Sequence, residues 1–235
     1  MKAWVFVEGE SDRLGLRSLW SDWCDRLKGR GAGIAIIPLH NKANYLKKFG
    51  ERSAQKLVDN DEDVVVGLPD LHPIISSGDK RIIHRNGEDL KKLQLDAVKL
   101  ALSETHQLKK KDLENATNRV FASLLKHDFE MLLLAAQDEL RQVIGTRDKL
   151  GDWRTPVEDQ NLGNPPKRVV EKLFRTKSNR NRSYLATKDA PAVLRRVKEL
   201  GSILRTPSGQ WTCPEFVAML KWLGNKLGEP CCTLE

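Results

Sequence analysis

The chain lacks most of what would mark it as a membrane, secreted or zinc-stabilised protein. In its 235 residues no apolar run approaches the roughly 20 residues of a membrane-spanning helix. The N-terminus enters a strand-like segment at once, where a signal peptide would carry its charged and apolar regions. The expected compartment is therefore the cytoplasm, with no membrane partner. Cysteine is scarce. Cys24, Cys213, Cys231 and Cys232 form no CxxC pair and have no histidine at zinc spacing, so they support neither a disulfide framework nor a structural zinc site and read as reduced thiols. The sequence also has no GxxxxGK[ST] loop, GxSxG elbow, HExxH or GxGxxG. ATP hydrolysis by this chain is not expected, and any ATPase would be a partner. Internal repeats and low-complexity tracts are missing too.

What is present suits a folded, enzyme-sized unit: 40% hydrophobic and 31% charged residues. The formal charge of +8 is unevenly spread. Residues 1–144 hold 23 Lys and Arg against 22 Asp and Glu, whereas residues 145–235 hold 17 against 10. Between Pro165 and Arg205, twelve basic residues face only Glu171, Asp189 and Glu199. Such a block reads either as a solvated surface or as contact with a phosphate backbone.

The apolar pattern alternates. Ala3–Val7 is a strand-like run without a turn residue, followed by Gly9, by Ser11 as a plausible N-cap, and by Leu16, Leu19, Trp20, Trp23 and Leu27 at helical spacing. Gly33–Leu39 reads as a second strand. Asn41–Val58 reads as a helix with Tyr45, Leu46 and Phe49 inward, and Asp63–Leu68 as a third strand. After a looser stretch over Pro73–Asn86 come a long helix from Glu88 to about Leu108 and a fourth strand over Val120–Leu125. Asp128 is placed to N-cap a helix ending at Gly145. Trp153–Pro166 is a loop signal, and shorter helices are expected over Lys167–Phe174, Pro191–Leu200 and Pro214–Leu227. The expected fold is α/β: a Rossmann-like parallel sheet of about four strands flanked by helices over residues 1–145, with a basic, mostly helical region over 146–235 packed on it.

In an open parallel sheet, ligands collect at the carboxyl ends of the strands. Glu8 closes the first strand and Asp70 follows the third. Should those strands be neighbours, their carboxylates meet at one rim, where oxygen ligands suit Mg²⁺ or Mn²⁺ and phosphodiester chemistry. Plainer readings exist for each residue. Pro69-Asp70 is good turn chemistry, Asp12 and Glu10 read as surface acids, His127 as a satisfied histidine at a helix start, and Glu130 as a first-turn acid favoured by the helix dipole.

The stretch Val7-Glu8-Gly9-Glu10-Ser11-Asp12 resembles the first motif of the Toprim domain of topoisomerases, bacterial primases and overcoming-lysogenization-defect nucleases. There a glutamate acts as general acid/base or metal ligand, and a later Asp-x-Asp binds Mg²⁺. Asp70-Leu71-His72 stands where that second motif belongs, with His72 in its second acidic position. Imidazole is a poor Mg²⁺ ligand and an acceptable one for Mn²⁺.

The segments His127-Asp128-Phe129-Glu130, Thr155-Pro156-Val157-Glu158-Asp159-Gln160-Asn161 and Pro165-Pro166-Lys167-Arg168 resemble signatures of an uncharacterised bacterial Toprim-like family found beside ATPase genes in mobile-element or phage-defence loci. The resemblance implies catalytic Glu8 and Asp70, and metal ligation by Glu8, Asp70, His72 and Glu130. It also implies phosphate contact through Lys167 and Arg168; the basic block adds Lys172, Arg195 and Arg196 as expected nucleic-acid contacts, with His127 and Asp12 as further candidates. The function it implies is a divalent-metal-dependent nuclease in a defence or mobile-element system, acting with a partner ATPase, with a homo-oligomer among the expected assemblies. Two other readings stay open. One is a catalytically weakened, nucleic-acid-binding or regulatory subunit of an ATPase complex, and the other a phosphotransfer or phosphatase activity on small molecules.

Overall fold

The strand nearest the N-terminus, β1 (Lys2–Val7), lies in the middle of the sheet. The computed structural model describes residues 1–72, 84–160, 163–178 and 182–232. Most of the looser stretch expected over Pro73–Asn86 lies outside the described residues, as does Asn161.

β1 pairs in parallel with β2 (Gly33–Pro38) on one side, Lys2 opposite Gly33 and Val7 opposite Pro38. On its other side it pairs with β3 (Val64–Leu68), Ala3 opposite Val64 and Val7 opposite Leu68. β4 (Val120–Ala122) pairs with β3 and completes an all-parallel order β2-β1-β3-β4. The chain thus leaves β1 in one direction to make β2 and returns past it to make β3. That reversal opens a crevice at the carboxyl ends of β1 and β3, where ligands bind in sheets of this kind.

Both sheet faces are covered, which explains why the central strands read as unbroken apolar runs. Ala3, Val5, Val7, Val64, Val66 and Leu68 face a core shared with α1 (Glu10–Leu19) and α2 (Ser21–Lys28), in which Leu16, Trp20 and Leu27 are fully buried. Phe6 and Val65 face the opposite core, built from Tyr45, Phe49 and Leu57 of α3 (Lys42–Asp59) and from Val98 and Leu102 of α4 (Gly87–Glu104). Each such buried side chain contributes about 1.5–3 kcal/mol relative to exposure. α5 (Lys110–Thr117) carries the chain to β4. It has no counterpart in the sequence pattern, because only Ala116 of its eight residues is buried.

The remaining helices are α6 (Met131–Ala135), α7 (Gln137–Ile144), α8 (Pro166–Lys177), α9 (Ala186–Leu194), α10 (Leu200–Leu204) and α11 (Pro214–Leu227). Their buried residues, including Leu132, Phe174, Val193 and Phe216, join the same core as β1 and α1. Among the described residues no helix is long and apolar enough to cross a membrane.

Several boundaries differ from the sequence expectation for identifiable reasons. The first helix is capped at Gly9, whose N–H donates to Asp12 Oδ2 (2.8 Å), and not at Ser11. It breaks at Trp20, which is wholly buried and stacked on Phe216 with centroids 6.1 Å apart. The expected helix from Asp128 to Gly145 begins only after Glu130 and breaks at Ala136; Gly145 ends it in the left-handed conformation, as expected. Asp128 instead caps α8, its Oδ1 accepting the Lys167 N–H at 3.0 Å. Pro191 lies inside α9 and does not start it. Asp189 Oδ2 accepts the Leu185 N–H (2.8 Å) and pairs with both terminal nitrogens of Arg182, which fixes an earlier start.

Candidate functional site

Glu8 and Asp70 meet where the fold predicts they should. Val7 and Leu68 are paired, so the residues that follow leave the sheet side by side at its carboxyl rim, and the Asp70 N–H donates to Glu8 Oε1 at 3.2 Å. The turn carrying Asp70 is tied down from the neighbouring chain. Leu125 N–H donates to Pro69 O (2.8 Å), and Leu71 N–H to Leu125 O (2.6 Å). This backbone pairing continues the alignment of β4 with β3 beyond the three residues of regular strand.

The third member is Lys42, which sequence reading passed over. Asn41 caps α3 at the carboxyl end of β2, accepting the Asn44 N–H at 2.8 Å, and sets Lys42 at the first helical position. Its buried Nζ donates to the carbonyls of Asp70 and Leu71, both at 2.6 Å. A signal was available, since a lysine in the first turn opposes the helix dipole and α3 has no acid there. A cation in so unfavourable a place usually answers to something outside its helix.

Around this trio lie three more carboxylates. Asp12 on α1 is 7% exposed and Glu130 is 5% exposed, while Asp128 is half-buried. Gly15 makes their approach possible. A Cβ at Gly15 would fall 2.3 Å from Phe129 Cζ, so only glycine on α1 lets Phe129 seat between Asp128 and Glu130.

The electrostatics show how crowded the acids are. Burial raises the Glu8 carboxyl to about 7, with Lys42 opposing and Asp12 adding to the rise. Asp70 is pushed well above the usual carboxylate range by burial and then by Asp12, Glu8, Asp128 and Glu130; its Oδ1 is buried without a hydrogen-bond partner among the described residues. Burial, with Glu130 adding to it, raises Asp128 to about 7. Asp12 and Glu130 are raised by burial too, each opposed by Lys167. Burial lowers Lys42 to about 8 against the pull of Glu8 and Asp70. Among the described residues, five carboxylates thus share Lys42 and Lys167 as their nearby cations. Such a set holds protons or takes up further positive charge.

His72 stands apart from the acids. Its ring stacks on His127, centroids 5.2 Å apart and planes at 27°, and burial lowers both imidazoles. Among the described residues no three His, Cys, Asp or Glu side chains stand close enough to form a ready metal cage. Mg²⁺ does not require one, because it is commonly held by one or two carboxylates with waters and substrate phosphate completing its shell. The unpartnered Asp70 oxygen beside Glu8 fits that mode.

The basic residues divide. Lys167, at the start of α8, acts on the carboxylates of the rim. Arg168 and Lys172 line a separate groove beside α8, and Arg195 lines another between α1 and α9. Arg196 turns back onto its own helix, its guanidinium donating to Ala192 O at 2.6 Å.

Fold and site together define an α/β protein with a parallel sheet whose switch point gathers buried carboxylates. The chain belongs to the family described as Domain of unknown function (DUF4276), whose model matches residues 7–223 and so takes in Glu8, Asp70, Glu130 and the α8–α11 region. No curated protein and no solved structure matches it.

Proposed function

We propose that the rim formed by Glu8 and Asp70 is a divalent-metal-dependent phosphodiesterase site, making the chain a nuclease of Toprim type. The observation carrying this reading is the convergence of the two carboxylates at the β1/β3 switch point, hydrogen-bonded through the Asp70 N–H and under-neutralised by their surroundings. Glu8 and Asp70 would hold Mg²⁺ or Mn²⁺, with Glu130 close enough to act on Asp70 electrostatically. The bound ion would supply neutralisation of the charge that builds on the phosphate.

The chain's own groups do the rest. Lys42 fixes the Asp70 turn and offsets the acids. In the metal-free chain burial holds Glu8 at about 7, so near neutral pH the rim would give up a proton on taking a divalent cation. In the hydrolysis a water oxygen bonds to phosphorus as one of its protons passes to a rim carboxylate, and the P–O bond to the leaving oxygen breaks as the rim acid returns that proton, through solvent, to the leaving oxygen, which departs as a hydroxyl. Energy-driven steps would come from a partner ATPase, as the resemblance to defence-associated proteins implies.

A second reading, a nucleic-acid-binding subunit without catalysis, draws on His72, which stacks on His127 where the resemblance calls for an acid. One assay separates the two. Purified protein is incubated with labelled DNA and RNA in Mg²⁺ or Mn²⁺, and Glu8→Gln and Asp70→Asn are each expected to lower cleavage by about 10²-fold or more. Cleavage unchanged in both variants rules out this rim; no cleavage by the wild type in either metal favours the second reading.

A further inference from the structure

Beside α8 lies a groove of about 580 Å³ that the carboxylate rim does not account for. Its floor carries Arg168, Lys172 and Arg175, spaced i, i+4 and i+7 on one face of the helix and all exposed. At about 1.5 Å rise per residue the three cations run about 10 Å along the helix axis. Asn164, Ser183 and Tyr184 line it as well, and Glu171 is the one acid among the described lining residues. Tyr184 links the groove to the rim, because its hydroxyl faces the Glu130 carboxylate. At the head of the same helix, Lys167 faces Asp12, Asp128 and Glu130.

We propose that this groove binds a single-stranded polynucleotide, its phosphates on Arg168, Lys172 and Arg175, and leads it past Tyr184 to the rim. The inference rests on the phosphodiesterase reading of that rim. Three cations in line with one acid among them suit a ligand with repeating negative charge, and the polar walls suit sugar and base edges.

Strandedness follows from shape. The cations line a groove walled by Asn164, Ser183 and Tyr184, and the Tyr184 hydroxyl faces Glu130, which is only 5% exposed. A duplex, stiff over about 150 base pairs, cannot bend into such a recess, whereas a single strand can. The groove between α1 and α9, about 660 Å³ with Arg17, Lys188 and Arg195, is the competing basic surface. No acid of the rim faces it, so it offers no route to the chemistry.

The test reads binding in EDTA, by fluorescence anisotropy of a short labelled single strand, as DNA and as RNA, against the matching duplex. The triple variant Arg168→Glu/Lys172→Glu/Arg175→Glu is expected to weaken single-strand binding by at least about tenfold. It should also flatten the plot of log affinity against log salt by about 2, at about 0.7 per lost contact. The pair Arg17→Glu/Lys188→Glu, in the other groove, should bind as the wild type does. A triple Arg168→Gln/Lys172→Gln/Arg175→Gln variant serves if charge reversal impairs folding. Binding within twofold of wild type in the folded α8 variant, or duplex binding as tight as single-strand binding, overturns the proposal. Because no metal is present, an inert rim leaves the binding result standing, and a failed groove leaves any cleavage that depends on Glu8 and Asp70 untouched.

Discussion

With Lys42 seated on the carbonyls of Asp70 and Leu71, one buried cation serves both the β3 turn and the Glu8 carboxylate. Lys42→Met keeps the length of the side chain and removes the charge, leaving buried acids without their cation. A loss of about 3–5 kcal/mol is expected at pH 7.5, between the values of about 7 for Glu8 and about 8 for Lys42, as for breaking a buried ion pair, and a smaller one at pH 5.5, where Glu8 holds its proton. Denaturant unfolding at the two pH values checks it. Gly15 is the second sensitive residue. Gly15→Ala must displace the buried Phe129 ring and is expected to cost about 1–3 kcal/mol, read from the same unfolding curves. Glu8 and Asp70 were legible in the sequence because each follows an apolar strand. Lys42 was marked only as a first-turn cation opposing its helix dipole, and Gly15 not at all, because their roles come from partners 28 and 114 residues away.

Among the elements, α8 is held at its head by a residue from before α6. Pro166 has no N–H to satisfy, and the next N–H, of Lys167, is taken by Asp128. Asp128→Ala is expected to weaken the first turn of α8 by about 0.5–2 kcal/mol, whereas Asp128→Asn keeps an acceptor and loses less. Hydrogen exchange at Val169 and Val170 distinguishes the two variants: both amides should exchange faster in the alanine variant than in the asparagine one. The strands were readable from sequence, since a sheet covered on both faces demands continuous apolar runs. The helix breaks at Trp20 and Ala136 were not, since each interrupts an apolar periodicity that runs on past it. The start of α9 was misplaced because proline marks the first turn often enough to look like a boundary, while here the Asp189 cap outweighs it.

At the scale of the whole molecule, the crowding of acids at one rim makes stability depend on pH in the opposite sense to most carboxylate-rich proteins. Glu8 and Asp128 are raised to about 7 in the folded state, so the folded chain binds their protons more tightly than the unfolded chain does. Their contribution is fully present below the unfolded values of 4.5 and 3.8 and is lost as pH rises through about 7. In EDTA the melting temperature should therefore be higher at pH 5.5 than at pH 8. Added Mg²⁺ or Mn²⁺ should raise it more at pH 8, where the acids are ionised.

The central claim, that this rim takes a divalent cation on Glu8 and Asp70, is tested most directly by calorimetric titration of the metal-free protein with Mn²⁺ at pH 8. The account predicts saturable binding in the wild type that is lost in Asp70→Asn and in Glu8→Gln and kept in His72→Ala. Binding that persists unchanged in both carboxylate variants, or that disappears only with His72, would contradict it.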